Sequence, residues 1–427
     1  MSFLVSPGVN VREIDLTNVV PAVATSIGAI AGAFQKGPVS SVTTISSEEE
    51  LVQIFGRPQS TGNQFETFFT AANFLQYADN LKVVRAESAI KNSTANGAGL
   101  LVRDDDHYQT NFEDGQGSVG EWAARTAGIH GNALGVSICT SATAYEQTAV
   151  TTTSGTEAAG QTTISVTDAS VINVSDIVNF GEVFEYEVTS RNTTSNEIVI
   201  KLLDDPNGAG LQSQITSGTS IRRRWRFYDL FDGAPGTSAY ATQNTRGNND
   251  EIHIVVYDTE GDLSGFSVDA NGNRTNAVLE TYPNLSVNPN CKSPQGDSIY
   301  YPNVIFKSSL FVYWMDHNVG GNNFGEDISG ATGSIILDGT DGSNTDAGDN
   351  IVFNATDSGG TDENGNVTLE DGTSGYSVIS APTKTELAGG TDDYALTAGE
   401  YESAYDKFED TESLDINLVL GGRGGGA

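Results

Sequence analysis

The side chains best suited to metal binding or nucleophilic chemistry are few and scattered. Four histidines, His107, His130, His253 and His317, stand singly in different segments, and the two cysteines, Cys139 and Cys291, lie far apart with no CxxC pair. A zinc site needs ligands at close spacing, and a nucleophile–base arrangement needs convergence that no motif here signals. The chain also lacks GxxxxGK[ST], HExxH, GxSxG and a GxGxxG set between strand and helix. With 56 Asp and Glu available, an acid–base pair can be drawn almost anywhere, so no catalytic pair is assigned. The expectation is a protein that is not an enzyme and holds no cofactor or metal, with both cysteines reduced and buried.

Two features remain. RRRWR concentrates Arg222, Arg223, Arg224 and Arg226 around Trp225 in an otherwise acidic chain. They either pair internally with nearby acids or form a charge patch that docks on the acidic face of an identical neighbour; spacing leaves both open. The loop DGTDGSNTDAGDN, Asp338 to Asn350, and the turns at Asp269–Asn271 and Asp362–Asn364 are oxygen-rich. They lack the Gly at position six and the Glu at position twelve of an EF-hand loop, so solvated turns are the first reading and calcium the second.

Composition narrows the class. The 427 residues exceed the ~250–300 at which one core stops growing, so at least two domains are expected. A formal net charge of −35 argues against direct nucleic-acid binding. The 18 Phe and 15 Tyr supply apolar surface that a disordered acidic chain would lack. With 48 Gly and abundant Thr, Asn, Ser and Asp, short strands should dominate. No apolar run approaches the ~18 residues of a membrane span, and Glu13 and Asp15 stand where a signal peptide would be basic. A soluble, unexported product without membrane insertion is expected.

Along the chain, Val9, Val11 and Ile14 fall in a short strand-like arm that either folds back or pairs with another molecule's sheet. Ser26–Val39 is a small-apolar run that reads as a buried strand. Ser47 and Glu50 suggest a capping box for a helix stopped by Gly56. From Gln64 to Ala78, Phe65, Phe68, Phe69, Ala72, Leu75 and Gln76 recur at helical spacing and predict an aromatic stripe packed on a sheet. Leu81–Ala86 returns as a strand, giving strand, helix, helix, strand. After Asn92 helical periodicity nearly vanishes until Gly399. Within that stretch Arg125–Ile138 reads as a Gly-rich turn feeding a strand, Glu251–Asp258 and Ser308–Met315 as strands, and Thr151–Ser220 as a small barrel or sandwich. No Lys or Arg falls between Ser308 and Thr383. Thr397–Glu409 predicts a short helix and Ser413–Gly422 a buried strand.

In order and spacing, LVSPGVNVREID, SIGAIAGAFQKGPV, FGRP and FFTAANFLQYADNLKVVRA resemble the tail sheath proteins of contractile-tailed bacteriophages. GIHGNALGVSI, the segment from Val278 to Trp314, TKTELAGGTDD and YDKFEDTESLDINLVLGG are similar to later parts of that family. The likeness is closest to T-even-like myophages, and the DGTDGSNTDAGDN stretch looks like a repeat of marine members. A bacteriocin or secretion-system sheath belongs to the same mechanical class.

The resemblance implies an α+β multidomain protein: an α/β sheath core domain with nested β-rich inserted domains. The implied parts are an arm at 1–20, a core at 21–92 plus 376–427, a middle domain at 93–150 plus 221–333, a small β subdomain at 151–220 and an acidic insertion at 334–375. It further implies hexameric rings stacked around a tail tube and contraction that drives the tube through the host envelope without nucleotide hydrolysis. Implied partners are other copies of itself, the tail tube protein, and baseplate and tail terminator proteins, in a virion tail assembled in the host cytoplasm. Strand donation to a neighbour falls on Val9, Val11 and Ile14. Family members continue past LVLGG into a C-terminal domain, which this chain is expected to lack. The competing reading is an acidic, β-rich, calcium-dependent adhesin or receptor-binding tail component, which a chelator would unfold or inactivate.

Overall fold

The computed structural model describes residues 26–113, 118–203, 208–244, 249–259, 261, 263, 277–288, 290–315, 334–337, 351–354, 382–410, 412 and 414–423. They sort into two compact units divided in sequence at Ser88/Ala89 and at Asp393/Tyr394, so the first unit draws on two separate stretches of chain. The protein is mixed α+β.

In the first unit the run GAIAG forms the strand Gly28–Gly32, buried throughout. It pairs in parallel with Leu81–Arg85 on one side and Leu418–Leu420 on the other, and Val42–Ile45 adds antiparallel to Leu81–Arg85. Because successive side chains point to opposite faces, Ile30, Leu81, Val83 and Ile45 meet the helices Glu48–Phe55 and Phe65–Leu75, while Ala31 and Val84 pack with Ala404 of the helix Ala398–Tyr405. The result is three layers, helix on sheet on helix. The strand Val42–Ile45 was not foreseen; VTTI is short and half polar.

The helix signals were right in kind and wrong in detail. Ser47 Oγ accepts from Glu50 N at 3.2 Å, but the Glu50 carboxylate reaches Ser46 N at 2.7 Å rather than Ser47, so the expected box closes one residue early. Gly56 ends the helix at φ +82°, a left-handed value that favours glycine. In Phe65–Leu75 the buried residues are Thr67, Phe68, Ala71 and Ala72, whereas Phe65 is 36% and Phe69 48% exposed. This corrects the predicted aromatic stripe. Its cause lies in the facing strand: a Cβ at Gly28 would sit 2.6 Å from the Phe74 ring and one at Gly32 2.8 Å from Thr67 Cγ2. Two glycines draw the helix in along its small face and turn Phe65 and Phe69 outward. Gly28→Val should therefore lift the helix and cost about 1–3 kcal/mol, measured as a lower urea midpoint of this unit; an unchanged midpoint would contradict this seating.

The expected buried strand at 413–422 is also corrected. Only Leu418–Leu420 is a strand, and as an edge strand it leaves Leu418 46% and Val419 60% exposed.

The second unit is built on an antiparallel sheet ordered Ala277–Ser286, Glu251–Asp258, Leu134–Cys139, Thr383–Glu386. One face joins Trp122, Tyr301, Ile305 and Trp314 in a core; the other carries Cys139, Val255 and Tyr257 against Tyr145, Trp225 and Phe227. Val312–Trp314, within the expected strand Ser308–Met315, pairs with Trp122–Ala124. Among the described residues four α-helices interrupt the stretch read as helix-poor: Asp105–Asn111, Ala142–Tyr145, Ala239–Asn244 and Tyr301–Ser308. None exceeds eight residues, too short for a 3.6 period to register. Local signals start all of them: Asp104, Ser141 and Ser238 cap by accepting backbone N–H bonds, and Pro302 occupies the first turn of Tyr301–Ser308.

Six strands form an antiparallel sheet ordered Glu146–Thr152, Ser220–Arg224, Ile177–Asn179, Tyr186–Asn192, Glu197–Leu202, Thr163–Ser165. Its two edges meet: Ser154 N donates to Ser165 O at 2.9 Å and Thr167 N to Thr152 O at 2.8 Å, around the pair Thr153–Val166. The sheet is thus a closed barrel filled by Ile164, Val178, Tyr186, Val188, Ile198 and Ile221 among others. Ser334–Leu337 and Ile351–Asn354 pair as a two-stranded ribbon.

Candidate functional site: an assembly interface

The arginine cluster lies where the barrel's strand Ser220–Arg224 leaves for Trp225. A register shift between Ile221 and Arg223 separates its side chains. Arg223 is fully buried, 3.5 Å from Asp176 Oδ2, and donates to the Thr143 carbonyl. Burial pushes the Asp176 carboxyl up to about 6, against the opposing pull of Arg223 and the Asn173 N–H. Arg224 makes two bonds to Glu185, at 2.9 and 2.6 Å, which hold that carboxylate below its ordinary range. Glu187 is largely enclosed, which by itself raises its pKa; Arg226 at 2.6 Å and Lys201 at 2.9 Å outweigh this and lower it. Arg222 pairs with Glu146 and has the most exposed side chain of the four, at 44%. Every arginine of the run therefore faces an acid of its own unit, and Arg223, sealed in the interior, is a core charge rather than a docking one. Sequence spacing could not decide this, since Glu187 of the strand Tyr186–Asn192 and Glu185 just before it are brought to the cluster only through the barrel.

The other candidate residues are placed as follows. Val9, Val11, Ile14 and His317 lie outside the described residues, as do the oxygen-rich segments 338–350, 269–271 and 362–364. His107 Nδ1 accepts from Arg103 N, and His130 shares a 2.6 Å bond with Thr126. His253 is stacked on Phe231 and bonded to Gly233 O and Asn284 N; burial lowers its pKa. These are separate structural roles. Cys139 and Cys291 are free and buried, and burial pushes their thiols up to about 12 and about 11. Among the described residues no group of three or more His, Cys, Asp and Glu could hold a metal ion, and no helix is long and apolar enough to cross a membrane.

What the first unit does present is strand edge. Among the described residues Leu418–Leu420 and Val42–Ile45 are its outer strands, each paired on one side. The sequence reading missed the first of these edges because it took 413–422 as interior. The barrel, closed on itself, offers none.

Comparison with known proteins bears on this unit. The family model described as the tail sheath protein Gp18 domain III N-terminal region matches residues 25–86. The tail sheath protein of Vibrio phage KVP40 is 43% identical over 82 residues, 19% of this chain and 12% of that protein. That of Enterobacteria phage T4 is 39% identical over 93 residues, 21% of this chain and 14% of that protein. The chain thus matches only a small fraction of the length of these relatives. A solved sheath tail protein of Listeria innocua aligns with 46% of this chain and 33% of its own at 15% identity and a TM-score of 0.17, too low to carry an argument. The adhesin reading gains no support from these relatives. The resemblance drawn from the sequence stands on the matched segment: residues 25–86, which supply three of the four described strands of the first unit's sheet and the two helices on one face, match the phage tail sheath family model.

Proposed function

We propose that this protein is a structural, non-catalytic subunit of a contractile phage tail sheath, polymerising as stacked hexameric rings around a tail tube. The observation that carries this is the match of residues 25–86, which build most of the α/β layer, to a tail sheath family model, beside 43% identity to a tail sheath protein over 82 residues. Contraction on this reading needs no bound nucleotide: subunits repack from a metastable lattice into one of lower free energy, and the tube is driven through the host envelope. Tail tube, baseplate and terminator proteins are the other partners, in a virion tail assembled in the host cytoplasm. A lattice that slides must keep its subunits tied. Backbone pairing does this independently of side-chain contacts, and an arm bearing Val9, Val11 and Ile14 is suited to add to a neighbour's edge strand. The barrel and the acidic 334–375 insertion, nested in the core domain, would decorate the outside, their charge keeping particles apart.

Negative-stain electron microscopy tests this. The product of the complete reading frame should form hollow, striated tubes, and deletion of Met1–Asp15 should leave folded but dispersed subunits. Tubes unchanged by the deletion would remove strand donation, and absence of tubes from the complete product would remove the sheath reading.

A further inference from the structure

In the second unit the ring of Tyr257 lies across Gly135, where a Cβ would fall 2.4 Å from Cζ and 2.7 Å from Oη. Only glycine leaves room for that ring. Gly135 is in register with Tyr257 on one side and with Glu386 on the other, so the hydroxyl is carried toward the strand Thr383–Glu386. Tyr257 is fully buried and its Oη has no hydrogen-bond partner in the protein. Burial raises its pKa far above the ordinary phenol value, so the group is a neutral O–H with a proton to donate. Leaving such a donor unmet inside a protein is costly, and buried hydroxyls are normally satisfied.

Tyr257 lines a cavity of about 20 Å³ together with Ser137, Asp176, Trp225, Thr383 and Lys384, where the barrel's base meets the sheet. One water molecule needs roughly 10–15 Å³ of such space and two or more polar partners. Ser137 supplies a second partner: its Oγ donates to Thr383 O at 2.7 Å and accepts from Trp225 Nε1 at 2.9 Å, which leaves one lone pair. Ser137 stands two residues from Gly135 on the same strand and therefore on the same face. We propose that this cavity is a specific binding site for one long-lived water, which accepts from Tyr257 Oη, donates toward Ser137 Oγ and fills the seam between barrel and sheet.

The test is oxygen-17 magnetic relaxation dispersion on the whole chain, which counts waters exchanging slowly with bulk solvent. Tyr257→Phe should lose one such water and Glu386→Gln should lose none. An unchanged count in Tyr257→Phe would overturn the proposal. A crystal structure of the unaltered protein decides the matter without any variant. A solvent peak within hydrogen-bond distance of Oη supports the site; Oη bonded instead to the Glu386 carboxylate, with no peak, refutes it.

Discussion

Arg223→Met should destabilise the barrel by about 3–5 kcal/mol, the usual cost of leaving one member of a buried ion pair uncompensated. Arg223 and Asp176 are both sealed from solvent, and the guanidinium also satisfies the Thr143 carbonyl. Asp176→Leu should cost a similar amount, because it strands the guanidinium instead. The double variant should recover much of the loss, since the penalty belongs to the lone charge and not to the missing attraction. Arg222→Gln, at the exposed end of the same run, should change stability by less than about 1 kcal/mol. Equilibrium urea unfolding at neutral pH measures all four.

Acid gives an independent check on the same pair. The Asp176 pKa is raised in the folded state to about 6, so between that value and the ordinary 3.8 the native protein holds more protons than the unfolded chain. Its contribution to stability is therefore full below the unfolded value and is lost as pH rises through about 6. Without Arg223 the carboxyl is raised further. The deficit of Arg223→Met against the parent should thus be largest near pH 7 and shrink toward pH 4. A deficit that grows on acidification would mean that the carboxylate is not the group left stranded.

Local chemistry was legible where one residue type has one use. Glu251–Asp258 is rich in Ile, Val and Tyr and is a strand over those residues, and Gly56 stops its helix because little else adopts its backbone angle cheaply. The strands of the barrel announced themselves through TTISV, VFEYEV and EIVIKL, but closure did not, because it depends on bonds between Thr152–Ser154 and Ser165–Thr167 that no period encodes. Partners distant in sequence were invisible for the same reason, which is why Glu185 and Glu187 could not be named from the arginine run alone. The family resemblance reached further than any pattern, since it rests on the order of whole segments. The strand donation proposed for Val9, Val11 and Ile14 rests on it together with the arm's short alternation.

The sharpest disagreement between pattern and packing concerns two adjacent phenylalanines, and it yields the second large effect. The helical repeat assigned both Phe68 and Phe69 to the core. In the fold Phe68 is 1% exposed among Ile30, Phe55 and Val83, while Phe69 turns to solvent. Phe68→Ala should cost about 3–5 kcal/mol through lost burial and the cavity left behind. Phe69→Ala should cost less than about 1 kcal/mol, because a half-exposed ring forfeits little that water had not already claimed. Urea unfolding of the two variants separates the alternatives. Equal losses would mean that the helix seats on its aromatic stripe after all, with Gly28 and Gly32 playing no part in its rotation. Unequal losses in the expected sense leave Phe69 spare for contacts outside the subunit, because a phenylalanine that folding does not need is unconstrained by the core and sits on the face away from the sheet.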